Sequence, residues 1–518
     1  MTERSRILWA DDEIDLLKAH VMFLTQKGYE VITTNNGFEA LELIEQQEFD
    51  IVFLDENMPG LTGIETLEKI KQLFPHLPVV MVTKSEEEHI MEEAIGSRIA
   101  DYLIKPVNPN QLLLAVKKNL EKKELVIQKT NISYQQEFRA IGMEISNRLD
   151  FTQWIEIYKK IIGWEIRLTQ SGDSSMMEVL KQQKEEANQV FTKYIEQNYA
   201  NWVKPTTSNK PIMSHTLLKE KLFPLTQSNE NLAFILIDNL RFDQWKTIQP
   251  LIEEFYRLES EDLYYAILPT VTQFARNALF SGLMPSEIAK KYPQWWLNDW
   301  DEGTKNQYEE ELLGENLKRY GKDIRFSFNK VLNLNVGKKL ADSVSDLSTY
   351  KLNVIIYNFV DMLSHARTEM EIIRELADDE PAYRSLTQSW FEHSPLFDII
   401  RQLALKRIPI IITTDHGSIR VQNPVKIIGD RQTNTNLRFK VGKNLNYNKK
   451  EAFSVAIPEE IFLPKPSISS SVVFAKNYDF FAYPNNYNYY ANYYKNTFQH
   501  GGISMEEMLV PFIYLKPR

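Results

Sequence analysis

The sequence predicts three parts: an N-terminal α/β domain with a doubly wound, five-stranded parallel sheet, a central helical bundle, and a C-terminal α/β domain. Three observations predict this. Short apolar runs alternate with helical patterns over the first 120 residues, helical spacing continues alone over the next 80 or so, and strand-length apolar runs then return. A chain of 518 residues is long enough for two or three domains, each with its own core. We place the domains at 1–121, 122–205 and 206–518.

The composition is that of an ordinary water-soluble protein, with 43% hydrophobic and 25% charged residues. No apolar run approaches the roughly 18 residues that a membrane span needs. The first residues, "MTERSRILWADDE", lack the pattern of a signal peptide, so we expect a cytoplasmic protein. Because the sequence has no cysteine, any metal must be held by histidine, carboxylate or hydroxyl groups.

The negative charge is confined to the first domain. Residues 1–120 hold 11 Lys and Arg against 21 Asp and Glu, which accounts for the whole net charge of −10. No basic stripe stands out in the balanced remainder, so the sequence does not predict a domain that binds duplex DNA.

Within the first domain, five strand signals alternate with five helix signals. The strand signals are "RILWA", "YEVITT", "DIVFLD", "PVVMVT" and "ADYLIKP", and the helix signals are "EIDLLKAHVMFLTQKG", "GFEALELIEQQ", "GIETLEKIKQLF", "EEEHIMEEAIG" and "PNQLLLAVKKNL". This alternation predicts a parallel sheet with helices on both faces.

Polar residues follow the strands of this sheet at the edge where functional groups collect. Asp11 and Asp12 follow the first strand, Asp55 the third, Thr83 ends the fourth and Lys105 follows the fifth. Carboxylates grouped at one edge suit Mg²⁺, and the hydroxyl and ammonium groups complete a pocket for a phosphoryl group. The alternative is that these aspartates only cap the helices that follow.

The motifs "ILWADDE", "DENMPGLTG", "VT" at 82–83 and "YLIKP" resemble the receiver domain of two-component response regulators. The resemblance implies that a histidine kinase phosphorylates Asp55 and that Mg²⁺ binds Asp11, Asp12 and Asp55. It also implies phosphoryl contacts from Thr83 and Lys105, with Tyr102 as the switch aromatic residue. Lys84 departs from the family, which has a small residue there, so it is expected to affect access to Asp55 or the lifetime of its phosphate.

The middle stretch has apolar residues at helical spacing and no evident chemistry. It predicts two or three helices packed as a bundle, with a break at 171–173 and a linker, "KPTTSNKP", at 204–211. Either it is a spacer, or it transmits the state of the receiver.

In the C-terminal part, acidic residues and histidines follow the apolar strands. The strand patterns are expected to end at Asp238, Asp361 and Asp415, and the candidate metal ligands are Asp238, Asp361, His365, Asp415, His416 and His500. Three carboxylates and three imidazoles suit zinc or manganese. Thr272 precedes a helical stretch whose first N–H groups favour a phosphate. Taken singly, such residues are more often caps or turns.

In this order, "DNLRFDQW", "DHG" and "HGGISMEEMLVP" resemble the PglZ branch of the alkaline-phosphatase superfamily. The C-terminal domain is therefore expected to have an alkaline-phosphatase-like α/β fold. The resemblance implies two metal ions, zinc or alternatively manganese. One would be held by Asp361, His365 and His500, and the other by Asp238, Asp415 and His416. Thr272 would bridge them as the nucleophile. Arg276, one helical turn after Thr272, is expected to contact the substrate phosphate.

A receiver, a helical linker and a PglZ domain together resemble the response regulators of the type IX secretion system. That resemblance implies a sigma factor and a secretion-motor membrane subunit as partners, phosphodiesterase activity on small nucleotides, and a homodimer on phosphorylation. The alternative is a scaffold without catalytic activity whose metals are structural. The aromatic run at 478–498 either stacks on a nucleobase or packs over the core.

Overall fold

The structure, a computed structural model, describes residues 5–84, 99–172, 174–227, 230–298, 301–363, 379–430, 433–465, 467 and 469–518. Side chains are not described for 121–129 and 174. The chain divides into two compact units: the first holds residues 1–135 and 171–173, and the second holds 136–170 and 174–518. In the described part, no helix is both long enough and apolar enough to span a membrane.

The first unit is built on a parallel sheet in the order β2-β1-β3-β4-β5. Its strands are β1 (Arg6–Ala10), β2 (Glu30–Thr34), β3 (Ile51–Leu54), β4 (Val79–Thr83) and β5 (Asp101–Ile104). Its helices are α1 (Lys18–Gln26), α2 (Gly37–Gln46) and α3 (Gly63–Leu73), and a 3₁₀ turn at Ile14–Leu17 precedes α1. The helix predicted at 86–96 lies outside the described residues.

Each face of this sheet buries its own apolar cluster, because successive side chains of a strand point to opposite faces. Leu8, Val52 and Leu54 belong to one cluster, and Ile7, Trp9 and Phe53 to the other. Strands buried on both faces explain why the sequence shows continuous apolar runs rather than alternation.

Three long helices follow: α4 (Pro109–Ser146), α5 (Phe151–Ser171) and α6 (Ser174–Trp202). The helix predicted at 109–120 is thus only the first part of α4. The break predicted at 171–173 separates α5 from α6, and 204–211 contains neither helix nor strand. Trp154, Ile157, Ile161 and Leu168 form the buried stripe of α5, at the spacing of an amphipathic helix. The second unit includes α5, α6 and the end of α4, so these helices pack with the C-terminal domain.

The second unit contains a six-stranded mixed sheet in the order β7-β19-β10-β6-β9-β8. The four strands β10, β6, β9 and β8 are parallel, and β19 and β7 pair antiparallel at one side. These strands are β6 (Leu232–Ile237), β7 (Tyr256–Tyr265), β8 (Phe326–Val331), β9 (Leu352–Tyr357), β10 (Ile410–Thr413) and β19 (Leu509–Pro517).

The helices of this unit beyond α6 are α7 (Ser214–Leu217), α8 (Phe223–Leu225), α9 (Phe242–Glu253), α10 (Thr272–Ser281), α11 (Pro285–Lys291), α12 (Glu309–Arg319), α13 (Leu334–Asp342), α14 (Val344–Leu347), α15 (Glu380–Glu392), α16 (Pro395–Leu405), α17 (Tyr487–Tyr494) and α18 (Met505–Met508). Short strands between β10 and β19 form three small sheets: β11 (Ile419–Arg420) with β18 (Phe498–Gln499); β12 (Asn423–Ile428) with β14 (Asn446–Tyr447) and β17 (Asp479–Ala482); and β13 (Phe439–Gly442), β15 (Ala452–Val455) and β16 (Ser471–Ala475).

The strands that precede the predicted metal ligands are neighbours in the large sheet. Strand β6 lies between β10 and β9, so the chain segments after these three strands meet at one edge. One expectation needs correction: β9 ends at Tyr357, and Asp361 lies in a short helical segment four residues beyond that end. The predicted fold class, a five-stranded parallel sheet followed by helices and a mixed α/β domain, is confirmed.

Candidate functional site

The receiver-like unit brings three predicted residues together at the carboxyl edge of its sheet. Asp11, Asp12 and Asp55 each offer a carboxylate oxygen, and these oxygens lie within 4.8 Å of one another. The Lys105 ammonium lies 2.8 Å from Asp11 Oδ2 and 3.1 Å from Asp55 Oδ1. Thr83, at the end of β4, is fully buried. The arrangement suits a divalent cation beside a phosphoryl group.

Electrostatics at Asp55 point to the same chemistry. The pKa of Asp55 is raised to about 6, chiefly by burial; the Lys105 ammonium opposes this rise, and the neighbouring Asp11 and Asp12 carboxylates contribute to it. A divalent cation bound by Asp11, Asp12 and Asp55 would lower the pKa of Asp55 again. It would keep the Asp55 carboxylate ionised, as a nucleophile must be.

Lys84 forms an ion pair close to these three carboxylates. Its ammonium lies 2.5 Å from Glu13 Oε2, and both side chains are largely exposed to solvent. The pair joins the end of β4 to the loop after β1. Tyr102 lies on β5 and is half-buried.

In the second unit, Asp238, Asp415 and His416 converge at the edge of the large sheet. Their ligand atoms lie within 4.8 Å of one another, and all three side chains are buried. The backbone N–H of Leu240 donates a hydrogen bond to Thr414 Oγ1, at 3.0 Å, and so ties the segment after β6 to the segment after β10. This set offers two carboxylates and one imidazole to a metal ion.

Thr272 lies beside these groups as the first residue of α10. Its hydroxyl oxygen is 3.1 Å from His416 Nε2 and 3.4 Å from Asp238 Oδ1. At the start of α10, backbone N–H groups without helical partners favour negative charge. The hydroxyl is therefore placed where an oxyanion would be stabilised.

His500 and Asp361 form the other half of the site. His500 Nε2 lies 3.5 Å from Asp361 Oδ1, and His500 Nδ1 lies 3.2 Å from the Thr270 carbonyl oxygen. The His500 and His416 rings stack at 4.3 Å between centroids, so the two halves are adjacent. His365, the third predicted ligand of this half, lies outside the described residues.

Arg276, which was predicted to contact the substrate phosphate, lies among the predicted metal ligands. Its guanidinium group is buried and paired with Asp238, and its Nε lies 2.9 Å from Asp415 Oδ2. Because these carboxylates repel each other, a fixed cation between them stabilises the pair. The Arg276 guanidinium group therefore bridges the two predicted ligands.

Sequence reasoning missed Glu309, which is buried next to Arg276. Glu309 Oε1 lies 3.8 Å from Arg276 Nη1, and Glu309 Oε2 lies 2.5 Å from Lys330 Nζ. Glu309 begins α12 in the run "EEELL", which reads as an exposed acidic helix start, so no local signal marks it. Glu309 thus connects Arg276, which pairs with Asp415, to Lys330 on β8.

Burial and the neighbouring charges together determine the pKa values of these groups. Burial raises the pKa of Asp238 well above its ordinary value, against the opposing effect of Arg276. Burial would also raise the pKa of Asp415, but Arg276 and then His416 outweigh it and lower that pKa. Burial lowers the pKa of His416 to about 4. Burial would also lower the pKa of His500, but the hydrogen bond and charge of Asp361, together with the Thr270 carbonyl, outweigh it and raise that pKa. A neutral His416 is the form that ligates a metal.

The loops that carry the histidines are held by close backbone packing. A Cβ on Gly417 would lie 2.0 Å from the backbone oxygen of Glu506, so the residue after His416 must be glycine. Glu507 accepts hydrogen bonds from the Gly502 N–H at 2.8 Å and from the buried guanidinium group of Arg438. These contacts fix the segment that follows His500.

Searches of known proteins match the first unit to many response regulators. The chain is 37% identical over 122 residues to the alginate biosynthesis transcriptional regulatory protein AlgB of Pseudomonas putida, which is 24% of this chain and 27% of that protein. It is 37% identical over 118 residues to the transcriptional regulatory protein ZraR of Klebsiella oxytoca, which is 23% of this chain and 27% of that one. The chain thus spans about a quarter of the length of these curated relatives.

Among solved structures, a CheY-like response regulator receiver domain protein from Methanospirillum hungatei is similar to this chain. It is 32% identical with a TM-score of 0.23, and the match covers 24% of this chain and 98% of that chain.

Family models match three consecutive segments. Residues 7–117 match the response regulator receiver domain, 124–203 the PorX response regulator linker domain, and 217–515 the BREX system PglZ alkaline phosphatase-like domain. Fold, site and matches together define a response regulator whose receiver is joined to an alkaline-phosphatase-like domain. The chain belongs to the PglZ family, and its receiver, linker and PglZ segments have the PorX-type architecture.

Proposed function

We propose that this response regulator is phosphorylated on Asp55 by a histidine kinase and that phosphorylation controls a two-metal phosphodiesterase or phosphatase in its C-terminal domain. In the receiver, Asp11, Asp12 and Asp55 hold Mg²⁺, and Lys105 and Thr83 contact the phosphoryl group. The convergence of the three carboxylate oxygens within 4.8 Å supports this assignment. Tyr102 is the proposed switch residue.

The donor set of the C-terminal site fits two metal ions, zinc or alternatively manganese. Asp238, Asp415 and His416 would hold one, and Asp361, His500 and His365 the other. The ligand types are those that zinc prefers, and the stacked His416 and His500 rings keep the two groups adjacent. When bound, such ions act as Lewis acids toward a phosphoryl centre and activate water.

Thr272 is the proposed nucleophile. Its oxygen forms a bond to phosphorus as the bond to the leaving alcohol breaks, and water then cleaves the threonine phosphoester. The Asp238 carboxylate lies within hydrogen-bonding reach of the hydroxyl, with Oδ1 at 3.4 Å, and can accept its proton. The N–H groups at the start of α10 stabilise the negative charge on the transferred group. Arg276 keeps the Asp238 and Asp415 carboxylates in place during the reaction.

The observation that carries this proposal is the Thr272 hydroxyl, 3.1 Å from His416 Nε2 in the middle of the ligand set. A purely structural metal site needs no hydroxyl there. The test is hydrolysis of bis-p-nitrophenyl phosphate by the purified protein before and after removal of metal with a chelator. We expect activity that a chelator abolishes and that added zinc or manganese restores. Absence of hydrolysis by the metal-loaded protein would instead favour a binding scaffold.

We further propose that the substrates are small nucleotide-type phosphoesters and that the protein acts in the cytoplasm, where it regulates type IX secretion. A sigma factor and a secretion-motor membrane subunit are the proposed partners, and the phosphorylated protein is proposed to form a homodimer. The match of residues 124–203 to the PorX response regulator linker domain supports this assignment. The domain boundaries at 1–121, 122–205 and 206–518 are part of the same proposal.

A further inference from the structure

A buried network of charges joins the linker helices to the C-terminal domain. At its centre is Lys184 of α6, whose side chain is 6% exposed. The Lys184 ammonium lies 2.9 Å from Glu165 Oε2 on α5, 3.1 Å from Glu380 Oε2 on α15 and 3.2 Å from Glu506 Oε1 on α18. Nζ of one lysine therefore contacts carboxylates from three separate segments.

Two arginines extend the network. Arg384 pairs with Glu165, and its Nη1 lies 3.3 Å from Asp243 Oδ2. Arg241 Nη2 lies 2.6 Å from the same Asp243 oxygen. Glu165, Asp243 and Glu380 have ligand atoms within 4.8 Å of one another, a spacing that a metal ion could use. Because Lys184 and both arginines already pair with these carboxylates, we interpret the cluster as an internal ion-pair network rather than a third metal site.

Such a network is costly to break. Removing one partner of a buried pair leaves an uncompensated charge in a low-dielectric interior. Burial alone would lower the pKa of Lys184, but Glu165, Glu380 and Glu506 outweigh it and raise that pKa well above its ordinary value. Lys184 is therefore charged at any physiological pH.

Glu506 connects Lys184 to both histidine segments. The backbone oxygen of Glu506 is the atom against which Gly417 packs, next to His416. The Gly417 N–H donates a hydrogen bond to the Glu507 oxygen at 3.1 Å, and Glu507 holds Gly502 after His500. Asn188, one turn after Lys184 on α6, donates to Glu506 Oε2 at 3.0 Å.

Other members of the network lie next to the segments that carry Asp238 and Asp361. Arg241 lies three residues after Asp238 in the loop that leads into α9. Tyr383, next to Arg384 on α15, donates from its hydroxyl to the Val360 oxygen at 3.4 Å, beside Asp361. Each described segment that carries a predicted metal ligand thus contacts a member of the network or its neighbour in the chain.

We propose that Lys184 is a positioning residue of the metal site and that the linker, through this ammonium group, sets the geometry of the loops that carry the predicted ligands. The linker is then an integral part of the site, and a displacement of α6 would change metal binding. This inference rests on the proposed function for the identity of the site.

The test compares Lys184→Met with Lys181→Met in the full-length protein. Lys181 is on the same helix, its side chain is 50% exposed and it pairs only distantly with Glu178, at 4.0 Å. Zinc affinity is measured by competition with a chromophoric chelator, and amide hydrogen exchange is measured on the metal-free protein. For Lys184→Met we expect zinc affinity lower by about tenfold or more, the range for partners that orient ligands, and faster exchange at 413–418 and 499–507. Lys181→Met should match the wild type in both.

The double variant Lys184→Met/Glu165→Gln separates positioning from stability. It removes one charge of each sign, so it should recover much of the unfolding free energy lost in Lys184→Met while zinc binding stays weak, because Glu506 is still not held. If the single variant does not fold, the same measurements on the double variant decide. Wild-type zinc affinity in either variant that folds, with unchanged exchange, would overturn the proposal. A wild-type protein that binds neither zinc nor manganese would overturn the proposed function, and hydrogen exchange at 413–418 and 499–507 would then decide whether Lys184 positions these segments.

Discussion

Thr272 is the residue on which the proposed chemistry depends. Replacement by valine keeps the shape of the side chain and removes the hydroxyl that lies between His416 and Asp238. We expect Thr272→Val to retain full metal content and to lose hydrolysis by at least about a thousandfold, as for other nucleophiles. The measurement pairs metal analysis with turnover of bis-p-nitrophenyl phosphate.

Two variants complete this experiment. Thr272→Ser keeps a hydroxyl and should retain part of the rate, while His500→Ala should lower the metal content because a predicted ligand is lost. Full metal with a near-normal rate in Thr272→Val would mean that water attacks phosphorus directly and that Thr272 is not the nucleophile.

Because Lys440 is buried and its pKa is lowered, we expect the free energy of unfolding to depend on pH. Its side chain is 1% exposed, its ammonium donates to the Asn434 oxygen at 2.9 Å, and burial lowers its pKa to about 7. Between pH 7 and the unfolded pKa of about 10.4, the unfolded chain binds more protons than the folded one, so stability rises with pH. The rise is at most about 1.4 kcal/mol per pH unit.

Lys440→Met should therefore be more stable than the wild type at pH 7, by up to about 4 kcal/mol, and the difference should shrink toward pH 10. Denaturant unfolding across this range measures it, with the exposed Lys450→Met as control. A constant difference between wild type and Lys440→Met at every pH would contradict the assignment.

At the scale of elements, the approach of α18 to the segment after β10 depends on Gly417. An alanine Cβ there would lie 2.0 Å from the backbone oxygen of Glu506, and neither backbone can move without displacing a histidine segment. We expect Gly417→Ala to destabilise the protein by about 3 kcal/mol and to weaken zinc binding.

Gly142→Ala is the matched control. Gly142 lies inside α4 with no atom within 4 Å of an added Cβ, so alanine should stabilise the protein by about 0.5–1 kcal/mol. Denaturant unfolding and chelator competition measure both variants. Wild-type stability and zinc affinity in Gly417→Ala would show that the two segments adjust freely.

Helix α17 carries tyrosines whose role the sequence left open. Tyr489 and Tyr490 are 63% and 40% exposed, and Tyr489 stacks on Tyr493 at 6.0 Å between ring centroids. If exposed rings stack on a nucleobase, Tyr489→Ala and Tyr490→Ala should raise KM several-fold for nucleotide esters and leave KM for nitrophenyl esters unchanged. Tyr489→Phe keeps the ring and should match the wild type. Equal effects on both substrates would mean that the helix serves packing.

At the scale of the whole molecule, the receiver pocket predicts a phosphorylation-dependent change in assembly. Phosphorylated Asp55 would place an anion beside Lys105, whose ammonium lies 3.1 Å from Asp55 Oδ1, and would reorganise the groups around it. We expect beryllofluoride with Mg²⁺ to convert the protein from monomer to dimer in light scattering. Asp55→Asn should stay monomeric. An unchanged mass with Asp55 shown to be modified would exclude this mechanism.

The sequence by itself determined the fold class and the groups that meet at each sheet edge. In a parallel sheet the carboxyl ends of all strands lie at the same edge. The aspartates that follow β1 and β3 therefore come together, as do those that follow β6 and β10, independently of the conformations of the loops. The same regularity explains why Asp55 and Asp238 stand out in a single sequence. Helical spacing likewise predicted the helices on either side of the break at 171–173, which separates α5 from α6.

Only the tertiary structure decided which partners the charged residues have. Arg276 reads as a phosphate contact in sequence, but its guanidinium group pairs with Asp238 and with Asp415, which lies 139 positions away. Lys184 reads as one more charge on a long helix, yet it binds Glu506 of α18. Ion pairs between residues far apart in sequence form where packing excludes water, and no local pattern encodes which segments will pack together.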